Sequence, residues 1–91
     1  MLESSIQSRI LQHLKKNNIE AIKLIKTNVT WISDIIILFP DFPPLFLEVK
    51  QEKWKESAIQ VYRRETYQAK WFIWYVAYSY NDYLEFITKY I

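Results

Sequence analysis

Ser33-Asp34-Ile35-Ile36-Ile37-Leu38-Phe39-Pro40-Asp41-Phe42-Pro43-Pro44-Leu45-Phe46-Leu47-Glu48-Val49-Lys50 is the stretch on which the rest of the chain depends. It reads as two apolar strands, Ile32 to Phe39 and Leu45 to Lys50, around a proline-rich turn, because proline cannot continue a central strand. Asp34 opens the first strand, and Glu48 and Lys50 close the second. Charges at the ends of such apolar runs are costly to bury unless they are paired or bound to metal. A hairpin centred on Asp41 sets Asp34 opposite Glu48, with their Cβ atoms ~5 Å apart. Two carboxylates at that separation repel, and one takes up a proton unless a cation lies between them. Side chains alternate along a strand, so Lys50 shares a face with Glu48 while Val49 turns to the core. A hard divalent cation on Asp34 and Glu48, with Lys50 beside it, is the arrangement that cuts phosphodiesters. A register slip of one residue would put the two acids on opposite faces. The bland alternative is a salt-bridged, exposed strand end, because a Glu-x-Lys triplet alone is common.

Outward from this hairpin, Glu3 to Lys16 carries Ile6, Ile10, Leu11 and Leu14 at helical spacing, with Ser4 and Gln7 spaced as a capping box. Glu20 to Lys26 alternates as a strand, and Thr27 to Thr30 is a polar loop. Ser57 to Ala69 is a second helix, with Ile59, Tyr62 and Thr66 on one side. Trp71 to Tyr78 is a buried strand rich in aromatic and β-branched residues, and Asn81 to Tyr90 is a closing helix. The expected architecture is α/β, in the order α-β-β-β-α-β-α, with a mixed four-stranded sheet flanked by helices and residues 1–91 forming one domain.

Composition narrows the chemistry. Without cysteine there are no disulfides or thiolate metal sites, which fits a cytoplasmic setting. Without glycine there is no phosphate-cradling loop or dinucleotide fingerprint. No apolar run reaches the ~18 residues of a membrane span, so no membrane partner is expected. The net charge of +2 is too small to argue by itself for a polyanion. At 18% aromatic residues, the chain carries more apolar surface than a core of this size hides, which favours self-association.

Asp34 followed by Glu48-Val49-Lys50 resembles the D…(E/D)-x-K signature of the PD-(D/E)XK nuclease superfamily. More narrowly, the chain resembles a stand-alone, phage-type VRR-NUC domain, from Glu3 through the Trp71–Tyr78 strand. The supporting pieces are Glu3 in Glu-x-x-Ile, the Ser33–Pro40 strand, Leu45–Lys50 and Ser57-Ala58-Ile59-Gln60. The resemblance implies a Mg²⁺- or Mn²⁺-dependent deoxyribonuclease, acting as a homodimer on branched DNA such as four-way junctions in DNA repair. It implies Glu3, Asp34 and Glu48 as acidic site residues, the Val49 carbonyl as a further metal ligand, Lys50 as the catalytic lysine and Gln60 as the helix glutamine facing the site. The chain departs from that pattern in three places. Trp31-Ile32-Ser33 replaces a glycine before the aspartate, Gln51 to Glu56 lacks the glycine that usually follows the lysine, and Arg64 stands where related nucleases often have tyrosine.

Other roles stay open at this level. Glu3 also suits the positive end of a helix dipole, and Ser57 with Gln60 is also a capping box. Lys53, Lys55, Arg63 and Arg64 either contact DNA phosphates or form a solvated face with Glu52, Glu56 and Glu65. His13 reads as a surface residue. Trp31, Trp71 and Trp74 read as core or interface residues, and Trp54 as exposed and able to stack on a base. The rival to a nuclease is the same fold kept as a DNA- or protein-binding module without turnover.

Overall fold

The computed structural model describes residues 2–25, 27–28, 33–50 and 57–91. The elements run α1 (Glu3–Lys16), β1 (Glu20–Lys23), β2 (Ile35–Leu38), β3 (Leu45–Val49), α2 (Ala58–Ala69), β4 (Ile73–Ala77) and α3 (Tyr80–Ile87). The sheet order is β1-β2-β3-β4. The β1–β2 and β2–β3 pairs are antiparallel, and β4 lies parallel to β3. The element order and the mixed four-stranded sheet are those expected from the sequence. Among the described residues no helix is long and apolar enough to cross a membrane.

One face of the sheet carries Ile35, Ile37, Leu45, Leu47, Val49 and Ala77, all buried. They pack with Ile6, Ile10 and Leu14 of α1 and with Tyr83 and Ile87 of α3 in one core. The opposite face carries Phe46 and Trp74, stacked at 5.5 Å and capped by Tyr67 of α2 at 4.8 Å from Phe46. Helix α2 therefore sits over the β3–β4 half, and Ile22 on the edge strand is 46% exposed.

Two helices enter their strands without glycine. Asn18 and Trp71 take positive φ, 57° and 69°. After α1, Ile19 N–H donates to Leu14 O and Asn18 N–H to Lys15 O; after α2, Phe72 N–H donates to Tyr67 O and Trp71 N–H to Gln68 O. These are Schellman motifs, in which the left-handed residue closes the last turn and is usually glycine.

Several local expectations need correction. The strands are shorter: β1 ends at Lys23, β2 starts at Ile35, β3 ends at Val49 and β4 starts at Ile73, while α3 ends at Ile87. Helix α1 begins after Leu2 with no side-chain cap, so Ser4 and Gln7 form no capping box. The sequence left the packed side of α2 open: Ile59 and Tyr62 are exposed, whereas Gln60 is buried and Tyr67 packs inward. The polar residue goes inside because it caps its own helix there. Trp71 is 85% exposed, because the left-handed turn aims it away from the strand. His13 is not a surface residue: it is half-buried between α1 and α3, with Nδ1 2.8 Å from the Tyr83 hydroxyl. Trp31, Lys53, Trp54 and Lys55 lie outside the described residues.

Candidate active site

The β2–β3 register pairs Ile35 with Leu47, Ile36 with Phe46 and Ile37 with Leu45. The paired ladder ends at Ile35 and Leu47, and Asp34 and Glu48 are the next residues on the two strands. The ladder bends there. Asp34 N–H donates to Leu47 O at 3.1 Å, and Leu24 N–H donates to Asp34 O at 2.8 Å. The Asp34 carboxylate then accepts the Val49 N–H at 2.7 Å. A side chain thus takes an amide that a continued ladder would give to a main-chain carbonyl. Asp34 is fixed at N–H, C=O and side chain, and its carboxylate is held at the fork between two strands.

Glu48 is 3% exposed, and its parallel partner is Val76. Lys50 follows two residues on, half-buried, and its N–H donates to Ala77 O at 3.0 Å. The amides of Val49 and Lys50 therefore point to opposite neighbours. In a strand, N–H and C=O of one residue share a side, so the Val49 carbonyl faces the Asp34 strand.

Burial raises the Asp34 carboxyl above its ordinary range. The Val49 N–H and the Lys50 charge oppose this, the negative charge of Glu3 reinforces it, and Lys23 weakly opposes it. These influences put Glu3, at the start of α1, and Lys50, just past β3, within electrostatic reach of Asp34. Lys23 was not singled out from the sequence. It reaches the same corner because it pairs with Ile35, beside Asp34; reading the β1 register from the sequence would have found it.

Gln60 is 4% exposed. Its Oε1 accepts from Ser57 N–H at 2.8 Å and Ser57 Oγ at 3.1 Å, while Gln60 N–H donates to Ser57 Oγ at 3.4 Å. The capping box therefore forms, and the side-chain NH₂ is the group Gln60 has left to offer elsewhere. Arg64, one turn on and half-buried, lies on the same side of α2 and donates to Gln68 Oε1 at 3.5 Å. Arg63 has its guanidinium 5.9 Å from the Tyr62 ring centre.

Among the described residues no three His, Cys, Asp or Glu side chains gather tightly enough to enclose a metal. The candidate donors in this stretch, the Asp34 carboxylate, the buried Glu48 carboxylate and the Val49 carbonyl, are all hard oxygens. Burial and the charge of Glu3 already make the ionised Asp34 unfavourable. That set fits Mg²⁺ or Mn²⁺, which need only one or two protein carboxylates plus water and phosphate oxygens.

A solved structure named "VRR_NUC domain" superposes with a TM-score of 0.83, covering 98% of this chain and 97% of that one at 20% identity. The fold is that of a VRR-NUC domain. No family model matches the sequence, and no curated protein does either. Within the VRR-NUC fold, Glu3, Asp34, Glu48 and Lys50 come from α1, the β2 entry and the β3 exit.

Proposed function

We propose that this chain is a divalent-metal-dependent DNA endonuclease that hydrolyses phosphodiester bonds in branched DNA. What supports the reading is a VRR-NUC fold in which Asp34 precedes the Ile35–Leu47 pair and accepts the Val49 N–H, so that it lies beside the Glu48-Val49-Lys50 end of β3. A Mg²⁺ or Mn²⁺ ion held by Asp34, Glu48 and the Val49 carbonyl would polarise the scissile phosphate and acidify a bound water. Lys50 orients or deprotonates the attacking water, or offsets charge building on the phosphate. Glu3 adds negative charge at the same corner. Gln60 offers its amide NH₂ towards the site, and Arg63 and Arg64 contact DNA phosphates along α2.

The test is cleavage of labelled duplex, single-stranded and four-way-junction DNA with Mg²⁺, Mn²⁺ or EDTA. Cutting that needs the ion, prefers the junction and disappears in Glu48→Ala supports the reading. Cutting that survives EDTA, or an active Glu48→Ala protein, overturns it. Lys50→Ala should bind DNA normally and cut ~10²-fold or more slower, the usual loss when one charge-stabilising group is removed; unchanged cutting removes the lysine from the chemistry. The chain also acts as a homodimer in this reading, supported by the exposure of Ile59, Tyr62 and Trp71. A monomer mass by light scattering at high concentration refutes that part.

One observation favours a second reading, a binding module without turnover. Gln60 is engaged in capping and Asp34 in holding the Val49 amide, so both have structural work in the absence of any reaction. DNA binding with no cutting under any metal condition would select it.

A further inference from the structure

Arg9, Gln12, His13 and Lys16 recur at helical spacing along one side of α1 and, with Tyr80 at the start of α3, line a concavity of about 210 Å³. We propose that this groove is a second phosphate-binding surface, which takes the sugar–phosphate backbone of DNA extending past the candidate active site. DNA as the partner rests on the nuclease reading; the groove itself does not.

The groove is built. The Arg9 guanidinium lies 4.0 Å from the Tyr80 ring centre, so its charge is held in place by a cation–π contact. The His13 ring meets Tyr83 and Tyr80 edge-on at 5.4 and 6.4 Å. Its Nδ1 is tied to Tyr83, and its Nε2 lies on the exposed side near Asn17. The lining holds no carboxylate. Of the nearby acids, Asp82 has its carboxylate engaged by Tyr78 N–H at 3.0 Å. A second groove, on the β1 side of α1, is lined by Leu11, Lys15, Asn18, Ile19, Glu20 and Ala21, a mixed and partly apolar set that offers an anion no comparable field.

Spacing and position suit a polyanion. Lys16 lies seven helical steps beyond Arg9, a rise of ~10 Å. That is about three steps of one DNA strand at ~3.4 Å per phosphate along the axis, so the two cations meet different phosphates. Helix α1 begins with Glu3, which is within reach of Asp34. The groove therefore starts ~9 Å along the helix from Glu3 and ends ~20 Å from it. A duplex arm that follows α1 from Glu3 would pass over it. Contacts of this kind position the nucleic acid without reading its sequence.

The test is binding of a short labelled DNA duplex, followed by fluorescence anisotropy across a salt series in EDTA. Arg9→Ala with Lys16→Ala should weaken binding ~10-fold or more at low salt and flatten the slope of log affinity on log salt by nearly two, since each lost phosphate contact removes ~0.9. Lys16→Glu alone, at an exposed position, should weaken binding without disturbing the fold, with its melting curve as the check. Lys70→Ala, exposed beyond the end of α2, should change little. An unchanged slope in the double variant, or an equal loss in Lys70→Ala, overturns the proposal. So does inorganic phosphate shifting the NMR signals of Arg9 and Lys16 while duplex affinity ignores both substitutions, which would mark a small-anion site. Binding in EDTA is read independently of cutting, so a chain that binds through this groove yet cuts no DNA with Mg²⁺ or Mn²⁺ keeps the groove and removes the nuclease reading.

Discussion

Asp34 performs two tasks that two substitutions can separate. Its carboxylate holds the Val49 N–H at 2.7 Å, and it is placed to hold a metal. Asp34→Asn keeps an oxygen for the Val49 amide and removes the charge. Asp34→Ala removes both and leaves that amide without an acceptor, which costs about 1–3 kcal/mol when the group is shielded from water. In a domain of this size each kcal/mol moves the melting temperature by about 4–8 °C. Urea or thermal unfolding in EDTA, followed by tryptophan fluorescence, should therefore place Asp34→Ala clearly below Asp34→Asn, with both unable to cut DNA. The pH dependence has a definite sign. Burial raises the folded-state pKa of Asp34, so the folded chain binds more protons than the unfolded one between the ordinary carboxylate value and the raised value. The wild-type chain consequently gains stability relative to Asp34→Asn as pH falls through the raised value, and the gain is complete below the ordinary value. Equal stability of the Ala and Asn variants at neutral pH would refute the structural role. A wild-type-minus-Asn difference that does not change with pH would refute the electrostatic one.

The remaining predictions concern what surrounds this carboxylate. Glu3→Gln should lower the Asp34 titration midpoint observed by NMR, since the charge of Glu3 is one of the influences raising it; an upward shift or none would separate α1 from the site. Ser57→Ala should cost about 0.5–2 kcal/mol by removing the capping box, measured as a lower melting temperature. Phe46→Ala should cost about 3–5 kcal/mol, because its ring joins the sheet to Tyr67 of α2; a loss under 1 kcal/mol in denaturant unfolding would mean that α2 is held in place otherwise.

The hairpin was the most legible part of the sequence. Two apolar runs around Pro40 to Pro44 admit few turns, and a buried face forbids slippage by one residue. The observed pairs, Ile35 with Leu47 to Ile37 with Leu45, follow from that constraint. The Asp34 bend was not legible, because a side chain entering a ladder leaves no periodic trace. The packed side of α2 was not legible for a related reason. Ile59 and Tyr62 make the better apolar pattern, yet the helix turns Gln60 inward, where the capping box satisfies it, and docks through Tyr67 on Phe46 and Trp74. His13 looked like surface because its partners, Tyr80 and Tyr83, lie about seventy positions further along.

The left-handed helix ends at Asn18 and Trp71 also bear on the unfolded chain. A typical protein of this length has about six glycines, each of which widens the unfolded ensemble and weakens folding by ~0.4–1 kcal/mol against a residue with a side chain. Their absence narrows what must be ordered by roughly 2–6 kcal/mol. Against that stand the two left-handed positions, at ~1–2 kcal/mol each and less for asparagine. For a fold whose whole margin is ~5–15 kcal/mol, forcing tryptophan where glycine would fit is a small local loss beside the restriction of the unfolded state. Glycine introduced at Trp71 should relax the helix end and loosen the denatured chain together, so this position weighs local strain directly against chain entropy.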